Sequence, residues 1–411
     1  MRSFIIIIFF YSLNFSFCQE QNLEDNCNRF DVNLEYLAGK TSPPNYNFPK
    51  LNAFQSFLVG IRKNSTHRFE WEKNLDFPVT GLDLSYTNFG NKTTLGKAFS
   101  ITPFLEMSIL KERSKKFSLK SSLGLSYFTT IYDSISNPDN KAISTQFTWA
   151  FRLGLYYKLF KNNEFTTKLG LVYFHNSNGH MRLPNNGLNS IAISLSSIIK
   201  NCKHNEQLVP EKTILKNEKI IQNFYNFRLG IGQKVFSKKS YDLNEVFVIA
   251  ASKGIIIDKT FKIGYGFCYR FYEDYYNLNK NEILLSENKS IINASNLALF
   301  ISGELLMNRI GAELELGVNL YKPTYKEEYI ENHMVWVNGK FEKPNLGWYY
   351  VLKKTISSRL GLKYYFKNMN TSPKANFYIG TFINANFGQA DFTELSVGYI
   401  YCLDKKKDNH R

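Results

Sequence analysis

Outside its first segment the chain has no apolar run of about eighteen residues or more, so no later part of it reads as a membrane-crossing helix. Cysteine is scarce, five in 411 residues, which excludes a small disulfide-dense scaffold. Charged residues are 21% against 44% hydrophobic, too apolar a balance for a disordered chain. There is no metal-spaced His/Cys cluster, no phosphate loop and no dinucleotide fingerprint. The net charge is +16, yet no aromatic-basic nucleic-acid motif accompanies it, so nucleic acid is not an expected partner. Two readings of the excess stay open: Lys and Arg facing anionic headgroups at a membrane edge, and solvated loops. What is abundant is aromatic, with 35 Phe and 26 Tyr.

The first residues read as an address. Arg2 supplies the positive start, Phe4 to Phe17 an apolar core, and Ser16-Phe17-Cys18 a cleavage point before Gln19. Residues 1–18 are therefore expected to be a signal peptide. Phe17 is bulky where a lipoprotein signal wants a small residue ahead of Cys18. Cys27, Cys202, Cys268 and Cys402 then remain, and their pairing stays open.

The rest of the chain alternates with a period of two. Phe261, Ile263, Tyr265, Phe267, Tyr269 and Phe271 alternate with Lys262, Gly264, Gly266, Cys268 and Arg270. Ala312, Leu314, Leu316 and Val318 alternate with Glu313, Glu315 and Gly317. Each such strand has one apolar face and one polar or small face. A soluble sandwich also alternates, with the apolar face inward. Here the strands run to about ten residues or more, aromatics gather near their ends, and charges recur on the polar face, as in a membrane barrel with a polar lumen.

The expected fold is all-β: a transmembrane antiparallel β-barrel of about 14–16 strands spanning 19–404, followed by a polar tail at 405–411. The connections at 111–116, 161–164 and 308–309 are short, as periplasmic turns are, and those at 133–142, 273–293 and 323–354 are long, as outer loops are. One connection, 201–224, is long and basic yet falls on the periplasmic side. It divides the strands into 31–200 and 225–404. A periplasmic excursion within one barrel is the first reading, and a boundary between two small barrels the second. Glu313 and Glu315 share the lumen face and are expected to pair with Arg or Lys.

One hairpin concentrates chemistry. Phe165, Leu169, Leu171 and Tyr173 form an outward row that continues into His175 and Ser177. On the return, Ile191, Ile193 and Leu195 form the matching row, which Asn189 extends toward the turn. The two rows are symmetric about Arg182, so His175 should face Asn189. The three polar groups then lie on the outer wall, just above an aromatic girdle. Polar residues there are costly unless interfacial. Ser177 needs a neighbour to take its proton, His175 can do so, and the Asn189 amide oxygen can hold the ring. His180, at the loop tip, reads as solvated.

His175-Asn176-Ser177-Asn178 followed by Pro184-Asn185-Asn186-Gly187 resembles the signature of the outer-membrane lipid A 3-O-deacylase (PagL) and acyloxyacyl hydrolase family. The resemblance covers roughly 31–200. Residues 385–392, with Glu394 and Gly398-Tyr399, are similar to the closing strands of longer members. The resemblance implies Ser177 as nucleophile, His175 as base and Asn178 and Asn185 as oxyanion-hole donors. The family's triad acid falls on position 189, where this chain has Asn rather than Glu. His175-Asn176-Ser177-Asn178-Gly179 with Asn189 is also similar to outer-membrane phospholipase A, which uses Asn in the third role. That second resemblance implies a calcium-dependent homodimer, the first no cofactor. The expected function is thus a bacterial outer-membrane serine esterase acting on lipid A, or else on phospholipid. A non-catalytic porin-like barrel is the reading of another class.

Overall fold

The structure, a computed structural model, describes residues 30–407 apart from 46, 66–68, 110–115, 201–219, 238–241, 283–286 and 338–339. The expected signal peptide, Cys27 and Cys202 lie outside the described residues, as do residues 408–411 of the expected tail.

Alternating sequence has become long antiparallel strands. The first eight are β1 (Phe30–Thr41), β2 (Phe54–Lys63), β3 (Val79–Asn88), β4 (Ala98–Ser108), β5 (Phe117–Phe128), β6 (Phe147–Lys161), β7 (Phe165–Ser177) and β8 (Leu188–Ile199). β8 pairs with β1, with Val32 opposite Ile199, so this sheet closes on itself. The chain then builds β9 (Ile220–Val235), β10 (Leu243–Ile257), β11 (Phe261–Tyr272), β12 (Ser295–Met307) and β13 (Ile310–Tyr321). A small hairpin, β14 (Val335–Val337) and β15 (Lys340–Glu342), precedes β16 (Ile356–Tyr365), β17 (Ala375–Asn386) and β18 (Gln389–Lys407). β18 pairs with β9, and a second eight-stranded barrel closes.

The sixteen long strands therefore form two barrels of eight, not the single wide barrel of the first reading. The physical reason is that β8 finds a complete partner in β1, from Ile199 opposite Val32 to Ser190 opposite Thr41, while β9 pairs with β10 and β18. Two boundaries also move. β9 begins at Ile220 rather than 225, and β18 runs to Lys407 rather than 404, because Ile220 and Ile221 still ladder with Lys407 and Lys406. The basic run at 405–407 hides this pairing from an apolar pattern.

Inward and outward faces are those of a membrane barrel. Outward positions are apolar and exposed, for example Leu171, Ile193, Ile301 and Leu395. Aromatic pairs gather at both ends: Tyr127–Phe147 and Tyr86–Phe99 at the long-loop rim, Phe117–Tyr157 and Phe160–Phe165 at the opposite rim. An eight-stranded lumen is just wide enough for side chains to fill. In the first barrel Glu106 takes Arg62 at 2.8 Å, and Asp83 takes Lys120 at 2.6 Å and Arg152 at 3.3 Å. In the second, Arg359 reaches Glu313 at 2.7 Å, Glu315 at 2.9 Å and Glu394 at 3.2 Å. Glu304 accepts from Lys262 at 2.8 Å and Lys363 at 2.9 Å. The expected pairing of Glu313 and Glu315 with basic partners is what the lumen holds. Cys268 and Cys402 are buried and free.

Among the described residues five α-helices decorate the ends: α1 (Glu70–Asn74) at the short-turn end, and α2 (Glu273–Glu282), α3 (Glu287–Asn293), α4 (Tyr325–His333) and α5 (Trp348–Thr355) at the long-loop rim of the second barrel. Among the described residues no helix is long and apolar enough to cross a membrane.

Candidate active site

β7 and β8 meet in the register that the two apolar rows require: Tyr173 faces Ile191 and His175 faces Asn189. The hairpin lies at the long-loop rim. Asn176 points the other way, into the lumen, where its Nδ2 donates to Ser126 Oγ at 2.8 Å and to the Trp149 carbonyl at 3.3 Å. A slip of one residue would have put His175 and Ser177 inside instead.

His175 Nδ1 lies 2.8 Å from Asn189 Oδ1. An amide oxygen only accepts, so Nδ1 carries the proton and Nε2 is the free base. The same oxygen accepts from the Tyr173 hydroxyl at 2.7 Å. Tyr173 thus fixes the orientation of the orienter, whereas the sequence placed it only in the outward apolar row. Its place in the outward row, two residues before His175, was the available signal. Ser177 continues that row and is buried, at 6% exposed. Its partner on β6 is Trp149.

Gly187 lets the hairpin close on this group. Its φ is +71°, and a Cβ there would come within 3.1 Å of both His175 Cε1 and the Asn176 carbonyl. The loop is braced from 129–146: Asn186 N–H donates to the Lys141 carbonyl at 3.0 Å and Gly187 N–H to the Ala142 carbonyl at 3.1 Å.

The two expected oxyanion donors differ in what they can offer. The Asn178 amide is already committed. Its Nδ2 donates to Ser144 Oγ at 3.0 Å and to the Arg182 carbonyl at 2.8 Å, and its Oδ1 accepts the His180 N–H at 3.0 Å. Both amide protons are used, so the side chain holds the loop and has no donor left for an oxyanion. Asn185 turns its Oδ1 to the Asn178 N–H at 3.1 Å, which leaves its Nδ2 available.

His180 is not solvated, as its place at a loop tip had implied. It is 5% exposed, at φ +71°, with Nε2 3.9 Å from Glu328 of α4. Burial and the nearby Lys234 ammonium hold its imidazole below the usual histidine range. The hairpin tip has met the second barrel, which pattern in one strand pair cannot reveal. Among the described residues no group of three or more His, Cys, Asp and Glu gathers that could hold a metal ion.

The comparisons fall on this barrel. Residues 56–197 match the lipid A 3-O-deacylase (PagL) family. The match starts within β2 and ends within β8, so it includes His175, Ser177 and Asn189. The PagL-like portion is thus the first barrel. It stops short of the second, where the similarity read at 385–392 lies. That stretch forms the β17–β18 turn, and Asp391 there binds Lys322 at 3.0 Å. No curated protein matches the chain. Among solved structures, the outer membrane enzyme PagL is 14% identical, over 40% of this chain and 97% of its own, with TM-score 0.29. CdiB from Acinetobacter baumannii is 9% identical, over 92% of this chain and 60% of its own, with TM-score 0.17. The NanC porin is 6% identical, over 90% and 100%, with TM-score 0.14.

Proposed function

We propose that this protein is an outer-membrane serine esterase that removes ester-linked acyl chains from lipid A, using Ser177, His175 and Asn189 on the outer wall of its first barrel. The observation that carries the reading is the His175–Asn189 hydrogen bond on the lipid-facing row, within the segment that matches a lipid A deacylase family.

The chemistry follows from the proton positions. Ser177 Oγ attacks the ester carbonyl while its proton passes to His175 Nε2. The carbonyl oxygen gains the negative charge, and Asn185 Nδ2 is the side-chain donor left to meet it. Collapse expels the sugar hydroxyl, which takes the proton from His175, and leaves the acyl group on Ser177. Water then attacks that ester, His175 takes its proton, and the fatty acid leaves as Ser177 recovers its hydrogen. Substrate chains already dissolved in the membrane reach the outer wall sideways, so no lumen pocket is needed. A porin needs an open lumen, and both lumens here are filled by paired charges.

Asn189 favours a second reading, phospholipid hydrolysis. An amide orients the imidazole without adding a charge to stabilise the imidazolium, and the phospholipase resemblance has an amide in that role. The test is purified protein and Ser177→Ala, each offered lipid A and phospholipid with and without calcium, with products read by mass spectrometry. Acyl loss from lipid A by wild type only supports the proposal. Fatty acid released from phospholipid alone, with a calcium-dependent dimer, would replace it.

A further inference from the structure

We infer that the second barrel is a positioning element for the catalytic hairpin, holding its tip through Thr393 and Val235. The inference rests on the esterase reading above and adds residues on a part of the chain that the family match does not reach.

The two barrels touch where the hairpin turns. Trp149, the β6 residue paired with Ser177, donates its indole N–H to Thr393 Oγ1 of β18 at 3.3 Å. Gly179, two residues past Ser177, sits against the same hydroxyl: a Cβ at Gly179 would lie 2.2 Å from Thr393 Oγ1. Its φ of +65° makes glycine doubly suited to this approach. The His180 carbonyl then accepts the N–H of Val235, the last residue of β9, at 3.1 Å. The His180 ring is buried beside Glu328, and Glu328 is itself anchored by Lys234 at 2.8 Å.

These contacts connect to the chemistry by hydrogen bonds already described. Val235 holds His180, the His180 N–H holds the Asn178 amide, and the Asn178 N–H holds Asn185, whose Nδ2 is the free donor. A ten-residue loop left to itself samples many conformations, and ordering it is costly. A misplacement of about 1 Å in a catalytic group costs about 10²-fold in rate. Eight strands already make a complete barrel with an outward site. The second barrel contributes an external wall against which the loop between β7 and β8 is ordered. A further tie, Asn74 of α1 to Thr260 Oγ1 at 2.7 Å, joins the barrels at the opposite rim, so the two cannot swing freely about the hairpin.

The experiment uses the full chain in detergent with lipid A micelles. Thr393→Ala, Thr393→Ser and His180→Ala are compared with wild type for kcat, for KM, and for amide hydrogen exchange across residues 178–187. Gel migration of the unheated protein checks that both barrels are folded. Thr393→Ala and His180→Ala should lower kcat between about tenfold and 10²-fold with KM within about twofold. Exchange should quicken in 178–187 only, and Thr393→Ser should restore both rate and protection. Wild-type kcat in Thr393→Ala and His180→Ala overturns the positioning role, whatever exchange shows. Ser177→Ala separates the two claims. Hydrolysis that survives it sinks the esterase reading at this site, and the positioning role with it, whereas hydrolysis lost in Ser177→Ala but intact in the rim variants sinks the positioning role alone.

Discussion

His175 and Asn189 face each other across the β7–β8 pair, with Nδ1 and Oδ1 2.8 Å apart. The bond sets the tautomer but adds no charge. In a serine protease, replacing the triad Asp by Asn lowers turnover about 10⁴-fold, partly through the wrong tautomer; here the Asn189 oxygen accepts from Nδ1, so the tautomer is the productive one and only the charge is missing. Asn189→Asp is therefore expected to raise kcat on lipid A several-fold, since a carboxylate accepts both the His175 and Tyr173 protons and stabilises the imidazolium. Asn189→Ala should lower kcat by about 10²-fold or more while leaving measurable activity. Initial rates on micellar lipid A decide it. A slower Asn189→Asp enzyme would show the site to be adapted to the amide, which strengthens the phospholipase reading.

Ser177→Ala and His175→Ala should each reduce hydrolysis by about 10⁴-fold or more, because nucleophile and base act as a unit. Neither packs a lumen, so both variants should keep the fast gel migration of a folded barrel. Tyr173→Phe should have a smaller effect, about tenfold or less, because it removes one of the two donors to Asn189 and leaves the His175 bond in place. A Tyr173→Phe loss as deep as that of His175→Ala would mean that the phenol does more than orient the amide.

Much of this was legible in the sequence because a strand has a period of two and membrane and lumen demand opposite chemistry. The outward row through Leu171 and Tyr173 and the return row through Ile191 and Ile193 set the register, and with it the meeting of His175 and Asn189. The inward row told which Glu residues would need Arg or Lys. Closure was not legible. Whether β8 finds β9 or β1 depends on ladder hydrogen bonds, which every strand edge offers alike, so one barrel of sixteen and two of eight read the same. Loop chemistry was the other blind spot. Asn178 looks like a donor in a motif, and only the positions of Ser144 and the Arg182 carbonyl show its amide protons to be taken. His180 looks solvated until the second barrel is placed beside it.

The facing of the hairpin can be mapped without any substrate. Tyr173 is exposed on the outward row, whereas Asn176 is buried in the lumen against Ser126. In a chain whose native cysteines are replaced, Cys at 173 should react with a lipid-soluble thiol reagent from the membrane phase. Cys at 176 should not. Labelling of 176 and not 173 from the lipid would mean a register shifted by one residue, which would carry His175 and Ser177 into the lumen and end the lipid-facing mechanism.

The last expectation concerns stability rather than catalysis. Arg359 is fully enclosed in the second lumen, where it serves three carboxylates at once: Glu313 at 2.7 Å, Glu315 at 2.9 Å and Glu394 at 3.2 Å. Removing a buried charge is destabilising mainly because its partners are left uncompensated, at about 3–5 kcal/mol for a broken buried pair. Arg228 still reaches Glu315 and Lys363 still reaches Glu313, so those two acids keep a cation each. Glu394 keeps only the more distant Arg228 Nε at 3.6 Å and is the acid most exposed to the loss. Arg359→Met should therefore lower the temperature at which the folded gel band disappears, and Arg359→Met combined with Glu394→Gln should recover part of that loss by removing the stranded charge. Esterase activity at temperatures where the band persists should be unchanged, because Arg359 touches neither the hairpin nor the rim contacts that hold it. Equal melting of Arg359→Met and wild type would mean that the lumen charges are solvated rather than paired, and that filled lumens are not what sets the stability of the second barrel.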